Sequence, residues 1–362
     1  MLLNQIVKNK KKYLLNSTVV LICIYALYLR LIKLAGHKLW SDELYQLEQM
    51  KGSFLELIKS LPAKEFCSYL SGDYYLIYPF FKIFSFNKWG LALPHIISTI
   101  IGFWLLYLIC KIYFKTIWGY LITFVIVCFN STLINHATEI RVYAVLPTLA
   151  LACLYLSLKL VDQNINMNLK KKWAIGVLFV MTIWFHVYGI VIVFSTLAYS
   201  LLTKLRTKDC KITFKDTAKL ILLVLFVAMP LWLFSIFGPH YEQYHEANPV
   251  LFQYISNPFV DFTGFLKAIF GNLIGYKKIY FLLISLIFPF VLSYRNRFRQ
   301  ISFLMIAIFF PIGLIFLADV IFEYWFLQRQ FIWVIPFFAF FLGWSWDSFA
   351  CHVSRKFKPG VK

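Results

Sequence analysis

Two adjacent carboxylates, Asp42 and Glu43, follow the first long apolar segment, in the stretch Leu-Trp-Ser-Asp-Glu-Leu-Tyr at 39–45. Charged groups beside a bilayer are costly to desolvate and mark functional sites. A carboxylate held there can serve as a general base. Neighbouring residues point in different directions, so at most one of the two is expected to enter a given site. The alternative is that Ser41 or Asp42 caps a helix that begins at Leu44.

A second charged element, Glu-Ile-Arg-Val-Tyr-Ala at 139–144, lies where the chain is expected to re-enter the bilayer. Arg141 offers a fork of donors to an anion, and we predict that it lies at the N-terminus of a membrane helix, which also favours negative charge. Glu139 adds a carboxylate, and Tyr143 adds an aromatic face. A Glu139–Arg141 ion pair at the interface is the alternative.

Two further polar turns lie at span ends. His186 and Tyr188 stand between two short apolar stretches, and Arg329 opens the last span. An Arg at a helix N-terminus suits a phosphate group. A buried, hydrogen-bonded His and an interfacial Arg are the alternatives. Together the four turns predict one site with carboxylates for acid–base work and arginines for a phosphate.

The rest of the chain is suited to crossing a membrane. Of its 362 residues, 61% are hydrophobic, 20% aromatic and only 14% charged. Apolar runs of about 18 residues are typical of transmembrane helices. We predict an all-α polytopic membrane protein with about ten transmembrane helices, external juxtamembrane helices and no separate soluble domain. The predicted spans are 14–34, 91–110, 117–134, 142–160, 173–185, 188–203, 218–237, 279–294, 301–319 and 331–349.

The distribution of charge predicts the topology. With the N-terminus inside, the inner segments hold 23 Lys and Arg residues and the outer segments 11, whereas four acids are inside and twelve outside. Inner loops carry the basic excess, so both termini are predicted in the cytoplasm and the polar turns on the external face. The apolar segment 74–86 is predicted to be interfacial or re-entrant, because a span there would move Lys170–Lys172 outside.

The chain is predicted to form one membrane-embedded domain, 1–362, with large external loops at 36–88 and 238–278. Its net charge of +20 lies mainly in short inner loops, so no nucleic-acid partner is predicted. The seven cysteines show no metal-ligand spacing, and no metal site is assigned. Carboxylates with His186 can nevertheless hold a divalent ion such as Mg²⁺ or Mn²⁺.

These motifs resemble those of a known family. Trp40-Ser41-Asp42-Glu43 is similar to the acidic motif of membrane glycosyltransferases of the C-type fold. The nearest branch transfers mannose or aminoarabinose from dolichyl or undecaprenyl phosphate. Residues 139–144 resemble its second motif, 185–189 its His-Tyr element, and 329–336 an Arg-Tyr-x-x-x-x-x-Pro pattern. The resemblance runs from Leu39 to about Phe341.

The chain departs from that family in two elements. An Arg-Leu-Pro-Ser element is present only as Leu93-Pro94, with Ala92 in place of the Arg. A Pro-Pro-Leu-Tyr-Tyr stretch is replaced by Asp73-Tyr74-Tyr75-Leu76. The departures bear on handling of the acceptor more than on the core reaction.

The resemblance implies inverting transfer of a sugar from a polyprenyl-phosphate donor to a glycan, lipid or protein acceptor. The charge distribution predicts that the site is external, and the richness in Lys, Ile, Asn and Phe, typical of an AT-rich bacterial genome, favours the plasma membrane. Asp42 would take the proton of the acceptor hydroxyl, and Glu43 would support it; the reverse assignment stays open. Arg329, with Arg141 as second candidate, would neutralise the leaving phosphate. The implied substrate-binding residues are Glu139, Arg141, Tyr143, His186, Tyr188 and Arg329.

Two other classes of membrane protein are alternatives. A transporter or flippase of lipid-linked sugars places ionisable residues near the midplane and often has internal repeats, whereas here they lie at span ends and no repeat is visible. A polysaccharide polymerase or ligase would depend on external arginines, for which Arg141 and Arg329 are the candidates.

Overall fold

The computed structural model describes residues 2–64, 72–161, 169–186, 188–206, 297–322 and 328–356, and a few isolated positions between 219 and 226. These residues form helices and connecting turns. The helices are α1 (Leu2–Gly36), α2 (Ser41–Gln49), α3 (Phe54–Lys64), α4 (Gly72–Phe84), α5 (Lys88–Tyr113), α6 (Ile117–Phe129), α7 (Ser131–His136), α8 (Leu146–Val161), α9 (Leu169–Phe185), α10 (Gly189–Arg206), α11 (Arg297–Ser302), α12 (Phe310–Phe322) and α13 (Val334–Lys356).

Four of the described segments are long and apolar enough to cross a bilayer. They are Tyr13–Gly36, Lys88–Tyr113, Phe298–Leu317 and Val334–Ser354. The third runs from α11 through a π-helical stretch into α12, and α6, α8 and α10 are shorter apolar helices. At about 1.5 Å per residue, 20 residues cover the hydrocarbon core. The predicted all-α polytopic membrane fold is confirmed.

The contact between α6 and α13 is central to the packing. A Cβ at Gly343 would overlap the Thr123 hydroxyl and lie 2.5 Å from the Gly119 carbonyl oxygen. Small residues allow such close approach of membrane helices. Thr123 uses it to donate a hydrogen bond to the Ala339 carbonyl at 3.3 Å. The two glycines therefore set the distance between the helices.

Asp347 joins α13 to the N-terminus of α6, at the end away from the polar turns. Its carboxylate accepts from the backbone N–H of Lys115 at 3.0 Å and from the N–H and hydroxyl of Thr116, each at 2.6 Å. A carboxylate at a helix N-terminus satisfies free donors and complements the helix dipole. The pairing of the two helices is therefore held in the middle of α6, at Thr123, and at its N-terminus.

The third predicted span, 117–134, is wrong as a single helix. The chain breaks at Asn130, between α6 and α7. The Asn130 side-chain oxygen accepts from the Leu133 N–H at 3.0 Å and so caps α7. Asn favours such caps, which explains the break inside an apolar run.

Arg30 compensates for this break from inside α1. It is almost fully buried and donates to the carbonyl of Cys128, in the last turn of α6, at 3.2 Å. It also donates to the Ala26 carbonyl at 2.9 Å and lies 5.2 Å from the Phe103 ring centroid. Carbonyls of a last helical turn have no partner within their helix, and Arg30 supplies one.

Two predicted spans begin later than expected. α8 begins at Leu146 and α13 at Val334, each preceded by a 3₁₀ turn, Val142–Ala144 and Gln328–Phe331. The segment predicted to be interfacial or re-entrant is the short helix α4, which packs on α5. Span 279–294, loop 238–278 and nearly all of span 218–237 lie outside the described residues.

We expect Gly343→Ala to lower the thermal unfolding temperature of the protein in detergent, because the added methyl group forces α6 away from α13. Overpacking of this kind costs about 1–3 kcal/mol. Gly313→Ala is the matched control, since a Cβ there meets no atom of the described residues within 4 Å. Equal unfolding temperatures for both variants would contradict the close approach.

Candidate active site

Glu43 fixes the segment between α1 and α2. Its carboxylate is fully buried and accepts from the Trp40 N–H at 3.1 Å, as a Glu at the third helical position does in a capping box. It also accepts from His37 Nε2, at 2.8 and 3.0 Å from its two oxygens. The residue at the cap position of α2 is Trp40, so the alternative that Ser41 or Asp42 caps this helix is wrong.

The same carboxylate reaches across the fold to the second motif. It accepts from the backbone N–H of Ile140 at 2.6 Å. Glu43 therefore binds the start of α2 to the segment that carries Arg141. A buried carboxylate with three donors is satisfied and orients both segments.

Asp42 has a different environment from its neighbour. Its side chain is 37% exposed, whereas that of Glu43 is inaccessible to solvent. Asp42 Oδ2 lies 3.6 Å from Arg329 Nη2 and 3.9 Å from Arg141 Nη2. The structure therefore divides the acidic pair: one carboxylate faces two guanidinium groups and solvent, and the other is enclosed by N–H donors.

Arg329 lies between two aromatic rings. Its guanidinium carbon is 5.3 Å from the Trp40 ring centroid and 5.0 Å from that of Tyr143. Contacts of this kind hold a cation over the negative face of a ring. Arg329 was predicted to lie at the N-terminus of the last span, and this is wrong. It lies in a 3₁₀ turn before α13 and not in the first turn of the helix.

Arg141 is also placed differently from its prediction. It lies in extended backbone, with φ −146° and ψ 155°, before the 3₁₀ turn that precedes α8. Its buried Nη1 lies 3.4 Å from the Asp42 carbonyl oxygen and from Gln46 Oε1. Glu139 instead lies 2.7 Å from His136 Nδ1, at the partly exposed rim. The Glu139–Arg141 pair considered above does not form.

Aromatic residues line one side of the site. The ring centroids of Tyr143 and His186 are 6.2 Å apart, those of His186 and Tyr188 4.9 Å, and those of Tyr188 and Phe331 5.9 Å. His186 Nδ1 accepts from the Tyr188 N–H at 3.2 Å, so the proton of the neutral ring is on Nε2. Burial lowers the pKa of His186 to about 3, so the ring is neutral near pH 7.

The structure thus brings most of the predicted site residues together at one end of the bundle. Asp42, Arg141, Tyr143 and Arg329 are joined by the distances above, and His186 and Tyr188 continue the aromatic side. Glu43 lies behind this group and Glu139 at its rim.

Three buried residues beside the site were assigned no role from the sequence. Gln46 donates from Nε2 to Asp73 Oδ2 at 2.8 Å, and His95 Nε2 lies 3.2 Å from Asp73 Oδ1. Asp73 and His95 belong to the two elements that depart from the family pattern. An ionisable residue in an apolar stretch is the signal that could have pointed to Asp73 and His95.

The binding of a divalent ion by carboxylates and His186 remains a prediction from the sequence. Among the described residues no group of three or more His, Cys, Asp or Glu side chains is arranged to hold a metal, and Asp42 faces two cationic groups. The donor set around Asp42 therefore does not fit a metal in this part of the chain. Glu323 and the acidic residues of loop 238–278 lie outside the described residues.

A small cavity lies beside the site, lined by Tyr143, Pro336 and the buried Arg30. Its volume of about 40 Å³ is room for a few water molecules and not for a sugar. The partly exposed face of Asp42 is therefore the better place for a substrate.

Comparison with known proteins agrees with this architecture. The crystal structure of ArnT from Cupriavidus metallidurans bound to undecaprenyl phosphate is similar, with a TM-score of 0.53 and 16% identity over 94% of this chain. The chain therefore shares the fold of that structure. Residues 73–234, a little under half of the chain, match the family model described as dolichyl-phosphate-mannose-protein mannosyltransferase. None of the curated proteins matches the sequence.

The C-type fold predicted from the motifs is therefore confirmed. The chain spans 63% of the length of the ArnT structure, and at this identity the likeness concerns the fold. The roles of individual residues rest on the geometry of this chain.

We expect Glu43→Gln to destabilise the protein by about 2–3 kcal/mol, because an amide NH₂ group would face backbone donors that now bind a carboxylate. Thermal unfolding in detergent measures this loss. Glu48→Gln is the control: Glu48 lies on the same helix, half exposed, 2.6 Å from Lys51, and such surface pairs contribute about 0–1 kcal/mol. Similar unfolding temperatures for the two variants would show that Glu43 does not hold the two segments together.

The low pKa of His186 predicts a loss of stability in acid. The unfolded chain protonates this ring below about pH 6.5, whereas the folded protein does so only near pH 3. The stability contribution is therefore lost as the pH falls from about 6.5 towards 3, by about 2 kcal/mol at pH 5. In His186→Asn, which keeps an acceptor for the Tyr188 N–H, the unfolding temperature should fall less between pH 7 and pH 5. An equal fall in both proteins would contradict a buried neutral His186.

Proposed function

We propose that this protein transfers a sugar from a polyprenyl-phosphate donor to the hydroxyl group of an acceptor, on the external face of the plasma membrane. The observation that carries the proposal is the partly exposed carboxylate of Asp42 beside two guanidinium groups, at one end of a C-type bundle. A base next to a phosphate-binding group is what displacement of a lipid phosphate requires.

The reaction is a single displacement at the anomeric carbon. The acceptor hydroxyl gives its proton to Asp42 as its oxygen attacks the carbon from the side opposite the phosphate. The bond between the carbon and the phosphate oxygen breaks, and the lipid phosphate leaves with the electron pair, so the configuration inverts. One base of this kind contributes about 10²–10⁴-fold to the rate.

Arg329 is proposed to bind the leaving phosphate. It is 22% exposed and oriented by Trp40 and Tyr143, so a phosphate can reach its donors. The phosphodiester of the bound donor carries one negative charge and competes with Asp42 for this guanidinium group, and the charge on the phosphate grows as the sugar leaves. Binding of the donor therefore loosens the contact between Arg329 and Asp42 and leaves the carboxylate available to the acceptor hydroxyl. Arg141 remains beside Asp42 and orients it.

The remaining residues have supporting roles in this proposal. Tyr143 and Tyr188 are buried with the neutral His186 between them, so their part is to form the aromatic wall of the site, and Tyr143 also orients Arg329. Glu139, 17% exposed at the rim, is placed to accept from sugar or acceptor hydroxyls. Glu43 is buried, so its part is to hold the segments and not to contact substrate.

The donor class and the location rest on separate arguments. The family description names dolichyl-phosphate mannose, and the similar ArnT structure holds undecaprenyl phosphate; both are polyprenyl phosphates. The basic excess in the predicted inner loops favours cytoplasmic termini and an external site. The first argument supports a lipid-phosphate sugar as donor, and the second supports a site on the external face; the acceptor is proposed to be a glycan, lipid or protein.

We expect Asp42→Asn to lower sugar transfer by about 10²–10⁴-fold while leaving the unfolding temperature nearly unchanged, because the amide keeps the shape but cannot take the proton. The assay incubates purified protein in lipid nanodiscs with radiolabelled polyprenyl-phosphate sugars and a membrane extract, with and without chelator. Glu48→Gln, on the exposed face of the same helix, is the control and should transfer at the wild-type rate.

Transfer by Asp42→Asn at the wild-type rate would remove Asp42 from the reaction. If wild-type protein in vesicles moves the labelled donor across the bilayer without transferring its sugar, the protein is a transporter. Loss of wild-type transfer on adding chelator would show that a divalent ion takes part.

A further inference from the structure

A chain of buried polar contacts leads from Asp42 into the bundle. Arg141 touches Gln46, which donates to Asp73, and Asp73 in turn contacts His95. These residues come from the segment before α8 and from α2, α4 and α5. All four are less than 8% exposed. Elements that are distant in sequence thus meet at one polar line that ends beside Asp42.

The carboxylate of Asp73 fixes which atoms donate and which accept in this series of polar contacts. A carboxylate only accepts hydrogen bonds, so the amide nitrogen of Gln46 must face Asp73. The amide oxygen of Gln46 then faces Arg141 Nη1, 3.4 Å away. With the opposite amide orientation, an NH₂ group would face the guanidinium group and the contact would be repulsive. Asp73 therefore selects the orientation of Gln46 that suits Arg141.

His95 holds Asp73 from the other side. Its Nε2 lies 3.2 Å from Asp73 Oδ1 and must carry a proton to donate. Its buried Nδ1 has no hydrogen-bond partner among the residues that the structure describes. If residue 73 donates to Nε2 instead, the imidazole proton can move to Nδ1 without breaking another contact in that region. His95 is fully buried on α5, which makes it a rigid support.

These buried polar contacts cost folding free energy that apolar side chains at the same positions would not. Burying a carboxylate and an amide in a membrane bundle carries a desolvation penalty that Leu or Met would avoid. Such groups inside membrane proteins mark functional pathways. Here the series of polar contacts ends at the Arg141 guanidinium group, 3.9 Å from Asp42, which gives a functional reason for burying these polar side chains.

We infer that Asp73 and His95 are positioning residues for the proposed transfer, acting through Gln46 on Arg141 and thereby on the orientation of Asp42. None of the three is placed to touch substrate. The inference rests on the proposed function. It assigns a role to residues in the two elements where the chain departs from the family pattern.

The test compares four variants in the transfer assay: Gln46→Met, Asp73→Ala, Asp73→Asn, and the double variant Gln46→Met with Asp73→Ala. We expect each of the first two to lower kcat about 10-fold or more, since displacing a catalytic group by about 1 Å can cost about 100-fold. KM for the donor should change less than about threefold, because Arg329 binds the phosphate in this scheme.

Two results separate positioning from a merely structural role. In the double variant kcat should be no lower than in the less active of the two single variants, because both substitutions act through one contact. Asp73→Asn should recover to within about threefold of wild type. Its amide oxygen can accept from Gln46 while its NH₂ group donates to His95 Nε2, with the imidazole proton moved to Nδ1.

Gln300→Met is the matched control. Gln300 is also fully buried and donates from its amide to the Trp344 carbonyl at 3.2 Å and to the Ser348 hydroxyl at 3.1 Å, at the opposite end of the bundle. The substitution removes an equivalent buried amide, and we expect an equivalent loss of thermal stability with kcat unchanged.

Three results would overturn the inference: additive losses in the double variant, no recovery in Asp73→Asn, or a fall of kcat in Gln300→Met equal to that in Gln46→Met. If Asp73→Ala does not fold, Gln46→Met with the Asn variant and the Gln300 control decides the question. Absence of transfer in both wild type and Gln300→Met would instead remove the proposed function.

Discussion

The site depends on one buried carboxylate that takes no part in the chemistry. Glu43 accepts hydrogen bonds from the start of α2, from the end of the α1 segment and from the segment before α8. A charge enclosed in this way is stable only with all its donors in place, so the contacts form together or not at all. Asp42 is the next residue along the same backbone. Its distance to Arg141 and Arg329 therefore follows from how Glu43 is held.

The two carboxylates show how adjacent acids can have opposite properties. Glu43 is surrounded by N–H donors that cannot move away, whereas Asp42 faces two long side chains and solvent. A group that must release one partner and receive a proton needs neighbours that can adjust. Glu43, which holds three segments together, needs neighbours whose positions are fixed. Helix geometry separates the two environments with no intervening residue.

Much of this could be predicted from the sequence where a local rule applies. The apolar runs predict the spans, and the acidic pair with Arg141 and Arg329 predicts the site, because each is recognisable within a few residues. The capping role of Glu43 had a local signal too, since a Glu three residues after the cap position is typical of a capping box. The break at Asn130 had the same kind of signal in its Asn.

The contacts that escaped prediction are those between distant segments. No spacing rule relates Gln46, Asp73 and His95, which lie on three helices and meet only after packing. One local contact was missed as well: His136 ends the short helix α7, just beyond the predicted span 117–134, and lies three residues before its partner Glu139. Sequence patterns describe one segment at a time, so contacts that close the fold are the last to be seen.

Arg30 has a consequence for how the chain is made. Inside α1 it faces hydrocarbon unless the carbonyl at the end of α6 is present to receive it. An arginine at the centre of a membrane helix makes insertion less favourable by about 2.5–3.5 kcal/mol, and Arg30, six residues from the end of the span Tyr13–Gly36, makes it less favourable by a smaller amount. Ribosomes release α1 long before α6 is complete. The newly made first helix therefore inserts less readily than its apolar composition suggests, and Arg30 gains its carbonyl partner in the last turn of α6 only after that helix has been made.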